Sequence, residues 1–128
     1  MSKHPFAIML RAGNVLLACA ELEDTVDFDV DRFEAEQNGS GHCAHIDLSE
    51  IDTPDEPWTM VRTFLAASGP RLLELIRSER VGDATIDVAY NFDRQYALIS
   101  RQIPSDVVKL AGEAGIAIDV TIYIGSDD

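Results

Sequence analysis

Residues 104–124 read Pro-Ser-Asp-Val-Val-Lys-Leu-Ala-Gly-Glu-Ala-Gly-Ile-Ala-Ile-Asp-Val-Thr-Ile-Tyr-Ile, and a change of period inside this stretch decides the fold class. Its first half has a helical rhythm. Pro104-Ser-Asp suits a helix start, Val107, Val108, Leu110, Ala111 and Ala114 form one apolar face, and Gly115 is the residue type that ends helices. Beyond the glycine the period falls to two. Ile116, Ile118, Val120, Ile122 and Ile124 point one way, with Asp119, Thr121 and Tyr123 between them. A helix that runs within one residue into a strand requires a sheet for both to pack on.

Upstream, Ile86, Val88, Tyr90 and Phe92 alternate with Asp87, Ala89 and Asn91, which predicts another strand. Asp93-Arg94 offers a turn, and residues 95–102 are expected to pair back. From Trp58 to Arg80 the apolar residues Val61, Phe64, Leu65, Leu72, Leu75 and Ile76 fall at helical spacing. Gly69-Pro70 interrupts them, and a proline there removes a hydrogen bond and crowds the preceding turn, so two helices or a sharp kink are expected. Residues 49–57 form an acidic, proline-bearing connector ahead of this helical region.

The N-terminal third reads as a strand meander. Phe6 to Arg11 is one strand, Gly13-Asn14 a tight turn, and Val15 to Leu22 a second strand. Val26, Phe28, Val30 and Phe33 then suggest a third, with Asp27, Asp29 and Asp31 on its opposite face. A loop at Asn38-Gly-Ser-Gly41 leads to a fourth carrying Ala44, Ile46 and Leu48. The expectation is a single α+β domain over residues 1–128, with a mainly antiparallel sheet packed on one or two central helices and a short C-terminal one.

Trp58, Ile103-Pro-Ser105, Leu110-Ala111, Gly115-Ile116, Asp119-Val120 and Ile122-Tyr123 together form a pattern that resembles a widespread family of small bacterial domains of unknown function. The resemblance spans about Trp58 to Tyr123. It implies a Trp before a long apolar helix, strands with Tyr/Phe alternation, then a short helix and a final strand. It also implies a strand and short helix in the N-terminal third, where the residues themselves read as a meander.

The net charge of −13 is unevenly placed. Residues 21–56 hold thirteen carboxylates against Arg32 alone, so nearly the whole imbalance lies in 36 residues. Such a field repels nucleic acid and anionic membranes and draws in basic partners. Arg62, Arg71, Arg77 and Arg80 are too few to cancel it. The longest apolar run is six residues, Val15 to Ala20, and nothing before Arg11 has the length of a signal peptide. The expected location is the cytoplasm, where Cys19 and Cys43 would be reduced and buried.

No Gly-X-Ser-X-Gly elbow, phosphate-cradling loop or dinucleotide fingerprint is present. Asp27-Phe-Asp29-Val-Asp31 opens like a calcium loop, but Arg32 and Asn38 stand where Gly and a bidentate Glu are required. His42-Cys43-Ala-His45 places Cys43 and His45 on one strand face as metal-ligand candidates, without a second pair to complete a tetrahedron. Trp58, with Met60 and Phe64, is either an exposed anchor for a partner or the cover on the end of the core.

These residues point to a non-catalytic interaction module with no cofactor and an acidic face, at Asp27, Asp29, Asp31, Glu34 and Trp58, for a basic protein partner. An immunity-type inhibitor is its concrete form. The alternatives are a ligand- or metal-binding domain, or small enzyme, with a pocket between sheet and central helices, and a homodimer paired through the C-terminal strand.

Overall fold

The computed structural model describes residues 6–37, 39–49, 57–92 and 102–124. The elements run β1 (Phe6–Val15), α1 (Cys19–Val26), β2 (Arg32–Ala35), β3 (His42–Asp47), α2 (Trp58–Arg77), β4 (Asp83–Phe92), α3 (Ser105–Ala114) and β5 (Ala117–Ile124). The fold is α+β. The strands form one sheet in the order β2-β3-β1-β4-β5, antiparallel except that β4 and β5 are parallel.

Register assigns each side chain to a face. Leu10 lies opposite both Ile46 and Ile86, and Ala12 opposite both Ala44 and Ala84. These residues, with Ile8 and Val88, are buried on one side of the sheet and share a single core with the apolar stripes of all three helices. α2 supplies Val61, Phe64, Leu65, Leu72 and Leu75; α1 adds Leu22 and Val26, and α3 adds Val107, Ala111 and Ala114. The other face, carrying Met9, Arg11, Cys43, His45, Thr85 and Asp87, is half-exposed. Among the described residues this is two layers, with the helices on one side of the sheet.

The C-terminal half follows the sequence reading closely. α3 begins after Pro104 and ends at Gly115, which takes the left-handed conformation (φ 72°) and closes the helix through its N–H to Ala111 and Gly112 carbonyls. β4 and β5 occupy the stretches whose period is two. The expected turn at Asp93-Arg94 and the strand over residues 95–102 lie outside the described residues, apart from Gln102, which has no regular structure.

Pro70 does not divide the central helix. α2 is one helix of 20 residues with Pro70 inside it. The proline faces outward while Leu65 and Leu72 on either side are buried, so both halves are pinned to the same sheet and continuity survives the lost hydrogen bond. Gly69 has a packing role: a Cβ there would sit 3.3 Å from the Cβ of Ala114, so its absence lets α3 approach α2 closely.

The first two strands of the expected N-terminal meander are both corrected. Gly13-Asn14 is not a turn, because β1 runs through it to Val15. Asn14 does take positive φ (50°), but as a bulge in the pairing with β3 between Ala12 and Val15. Cys19 to Leu22 is not a strand but the first half of α1. The Glu21 carboxylate reaches back to the Ala18 N–H (3.4 Å), Leu22 and Val26 bury one side four residues apart, and Asp27 closes the helix in the left-handed region (φ 60°) with its N–H on the Glu23 carbonyl (2.8 Å).

Candidate interaction surface

The close of α1 positions the acidic segment. Asp27, Asp29 and Asp31 do not form a row on a strand: the ladder with β3 runs from Arg32, and of the three only Asp31 touches β3 through its backbone, its N–H donating to the His45 carbonyl (2.8 Å). They lie on the turn between α1 and β2, and all three are exposed. The alternation read from the sequence is therefore one of burial, not of strand pairing. Phe28 and Val30 reach the core from an irregular backbone, and Phe28 meets the Phe64 ring edge-on at 6.0 Å.

The acids of this region differ in what already occupies them. Asp31 accepts the Asp47 N–H (2.7 Å), and Glu23 accepts the Val30 N–H (2.8 Å), so both hold the turn in place. Glu34 projects from the open sheet face opposite Cys43 and pairs with Arg32 (2.7 Å), whose hydrogen bond holds its carboxyl below the usual carboxylate range. Asp24, Asp27 and Asp29 have no basic side chain within ion-pair distance among the described residues. They gather around an open concavity of about 490 Å³ with Glu23 and Phe28.

This is the end of α1 where backbone carbonyls already gather negative charge, and no basic residue occupies its last turn. Helix and side chains thus add fields of the same sign. Asp24 was outside the sequence-level candidates because its segment reads there as strand and turn. Helical spacing between Asp24 and Asp27 is the signal that brings it in.

Arg62 of α2 is turned to Asp106 of α3, in a two-pronged pair whose second contact is 3.2 Å and which holds the Asp106 carboxyl below its ordinary range. Arg71, Arg77 and Arg80 form no ion pair among the described residues. Trp58, offered as part of a partner-binding face, is only 5% exposed and belongs to the core. Of its two sequence-level companions, Phe64 is buried and Met60 half-exposed.

Cys43 and His45 do share a face of β3, the open face of the sheet. Register places His45 opposite Arg11 on one side and Arg32 on the other, so it is flanked by two guanidinium-bearing residues. That setting disfavours a cation. Among the described residues, no three His, Cys, Asp or Glu side chains converge as metal ligands. Cys43 is a free, half-buried thiol, pushed up first by burial and then by the Glu36 charge. Cys19, also free and half-buried, is pushed up by burial and by Glu23. Reactive thiols need the opposite shift. The expectation of fully buried cysteines is thereby corrected to half-buried ones.

Concavities occur elsewhere. One of about 290 Å³ lies where α2 and α3 meet, with Leu65, Leu73, Leu110 and Ala114 in its wall. Another of about 340 Å³ lies between the end of α1 and the first half of α2. A polar one of about 440 Å³ lies beside the β2–β3 loop, at Asn14, Glu36 and Cys43. None of these is between the sheet and the central helix. No protein-family profile, curated protein or solved structure matches this chain. No helix among the described residues is long and apolar enough to cross a membrane.

Proposed function

We propose that this protein is a non-catalytic interaction module that presents the end of α1 and the following turn to a basic protein partner in the cytoplasm. The observation that supports it most is the set of Asp24, Asp27 and Asp29, exposed, without ion pairs among the described residues, and placed where the α1 carbonyls reinforce their charge. Asp24 in the last turn and Asp27 at the C-cap lie at the unfavourable end of α1 for a negative charge, a cost of at most about 0.3–1 kcal/mol each at low ionic strength. A basic partner would turn that cost into attraction and would associate quickly by electrostatic steering. An immunity-type inhibitor, seated on the cationic site of a toxin, is the concrete form of this reading.

The test is affinity capture from native extract with the wild type and an Asp24→Lys/Asp27→Lys/Asp29→Lys variant, at about 50 and 300 mM salt. The expected result is a basic protein retained at low salt, released at high salt and lost in the variant. Retention of the same set of proteins by wild type and variant would refute it.

A second reading has its own observation. Among the described residues β5 is an outermost strand, and Val120, Ile122 and Tyr123 on it are exposed. A homodimer paired edge to edge through β5 would cover them. Light scattering separates the two, since strand pairing persists in salt that dissolves a charge-driven complex.

A further inference from the structure

Beside the acidic turn lies the groove of about 340 Å³ between α1 and α2, at the lower end of the ~300–1,000 Å³ range typical of ligand pockets. Its long wall is one stripe of α2, Met60, Thr63, Phe64 and Ala67, spaced i, i+3, i+4 and i+7. The stripe is hollow because its outermost members, Thr63 and Ala67, are small, and Met60 can adapt its shape to an occupant. The opposite wall is Val26 and Phe28. It is held against α2 by the Ser68 hydroxyl, which donates to the Val26 carbonyl (3.3 Å), and by the edge contact of Phe28 with Phe64. Asp27 and Phe28 belong to the groove and to the acidic concavity alike, so an apolar slot opens directly onto carboxylates that have no ion pair among the described residues.

We infer that this groove is the anchor point for an amphipathic basic helix of the partner, which seats one or two apolar side chains against Met60 and Ala67 while its Lys or Arg residues face Asp24, Asp27 and Asp29. The inference rests on the acidic-face reading and adds the source of affinity. Charge complementarity selects the occupant: a neutral or acidic helix that fills the same slot would bring apolar side chains but meet a repulsive or unrewarding rim. A helix docked there would present its own apolar anchors at i, i+3, i+4 or i+7. Burying one Leu-sized side chain is worth about 1.5–3 kcal/mol, hence roughly tenfold or more in affinity.

The experiment uses the full chain and two synthetic 14-residue peptides of equal positive charge, one patterned Leu/Lys as an amphipathic helix and one with Ser in place of each Leu. Binding is followed by fluorescence anisotropy at about 150 mM salt and by amide shifts of the labelled protein. The Leu/Lys peptide is expected to bind at least about tenfold more tightly and to shift amides around Met60 and Ala67. Ala67→Phe and, separately, Thr63→Phe fill the groove from exposed helix positions and are expected to abolish that preference while retaining the weak binding of the Ser/Lys peptide. Circular dichroism verifies that each variant is folded. Equal affinity for the two peptides, lost only in Asp27→Lys/Asp29→Lys, would overturn the groove and leave the acidic face standing. Failure of both peptides to bind, at about 150 mM salt and also at about 20 mM where screening is weaker, would count against the face and the groove together. A wild-type dimer that Ala67→Phe converts to monomer would assign the groove to a second copy of this chain and overturn the inference.

Discussion

Gly41 carries a constraint no other residue type can meet. Its φ is +80°, and a Cβ built on it would lie 2.3 Å from the Val15 carbonyl oxygen. Gly41→Ala is therefore expected to lose about 2 kcal/mol or more in denaturant unfolding, from a strained backbone and a displaced β1–β3 contact together. A loss below half a kcal/mol would mean the loop has moved. Asp106 offers a different test. Its carboxyl is depressed by the Arg62 hydrogen bond, so its stabilising effect is complete above the ordinary aspartate range and disappears as pH falls through the depressed value. The stability gap between wild type and Asp106→Asn should be constant near neutral pH and close in acid, and because both side chains are substantially exposed the gap is small. A gap that widened in acid would contradict the pairing.

Pro70 decides a question about an element. Proline inside a helix costs up to about 3 kcal/mol, offset in part by the stiffness it gives the unfolded chain. If α2 is continuous from Trp58 to Arg77, Pro70→Ala should raise unfolding free energy by about 1–2 kcal/mol. Destabilisation would show that the chain needs a break there. Two misreadings from sequence belong to this scale, one in α2 and one in α1. Gly69-Pro70 has the composition of a helix end, but the buried residues on both sides bind one continuous axis. The stretch from Val15 through Leu22, whose second half opens α1, reads as a strand from its apolar run to Ala20, yet after Val15 it contains no β-branched residue, and Ala18, Ala20, Glu21 and Leu22 are good helix formers. Propensity was the better guide than apolar continuity in this short segment. Asp27, Asp29 and Asp31 were correctly placed on the surface, and their grouping with Asp24 was hidden because it depends on the helix.

Taken as a whole, the molecule carries 23 acids and 10 bases, and only three ion pairs join charged side chains among the described residues. Unpaired carboxylates repel one another in the folded state more than in the expanded one. Raising sodium chloride from about 10 mM, where the screening length is roughly 30 Å, to about 0.5 M should therefore raise the melting temperature. A fall would show that the ion pairs outweigh the repulsion. The same imbalance gives the acidic turn its reach toward a basic partner.

The sequence alone determined the α+β class, the helix–glycine–strand order at the C-terminus and the sign of the surface. Each of these depends on local period, composition or summed charge. Only the tertiary structure decided that β4 and β5 run parallel, that α2 passes through Pro70, that Trp58 is core and that His45 stands between two arginines. It also decided that Asp24, Asp27 and Asp29 converge beside a groove. Those outcomes turn on which distant segments share a face, and the energy of burying a common core, rather than any local preference, makes that choice.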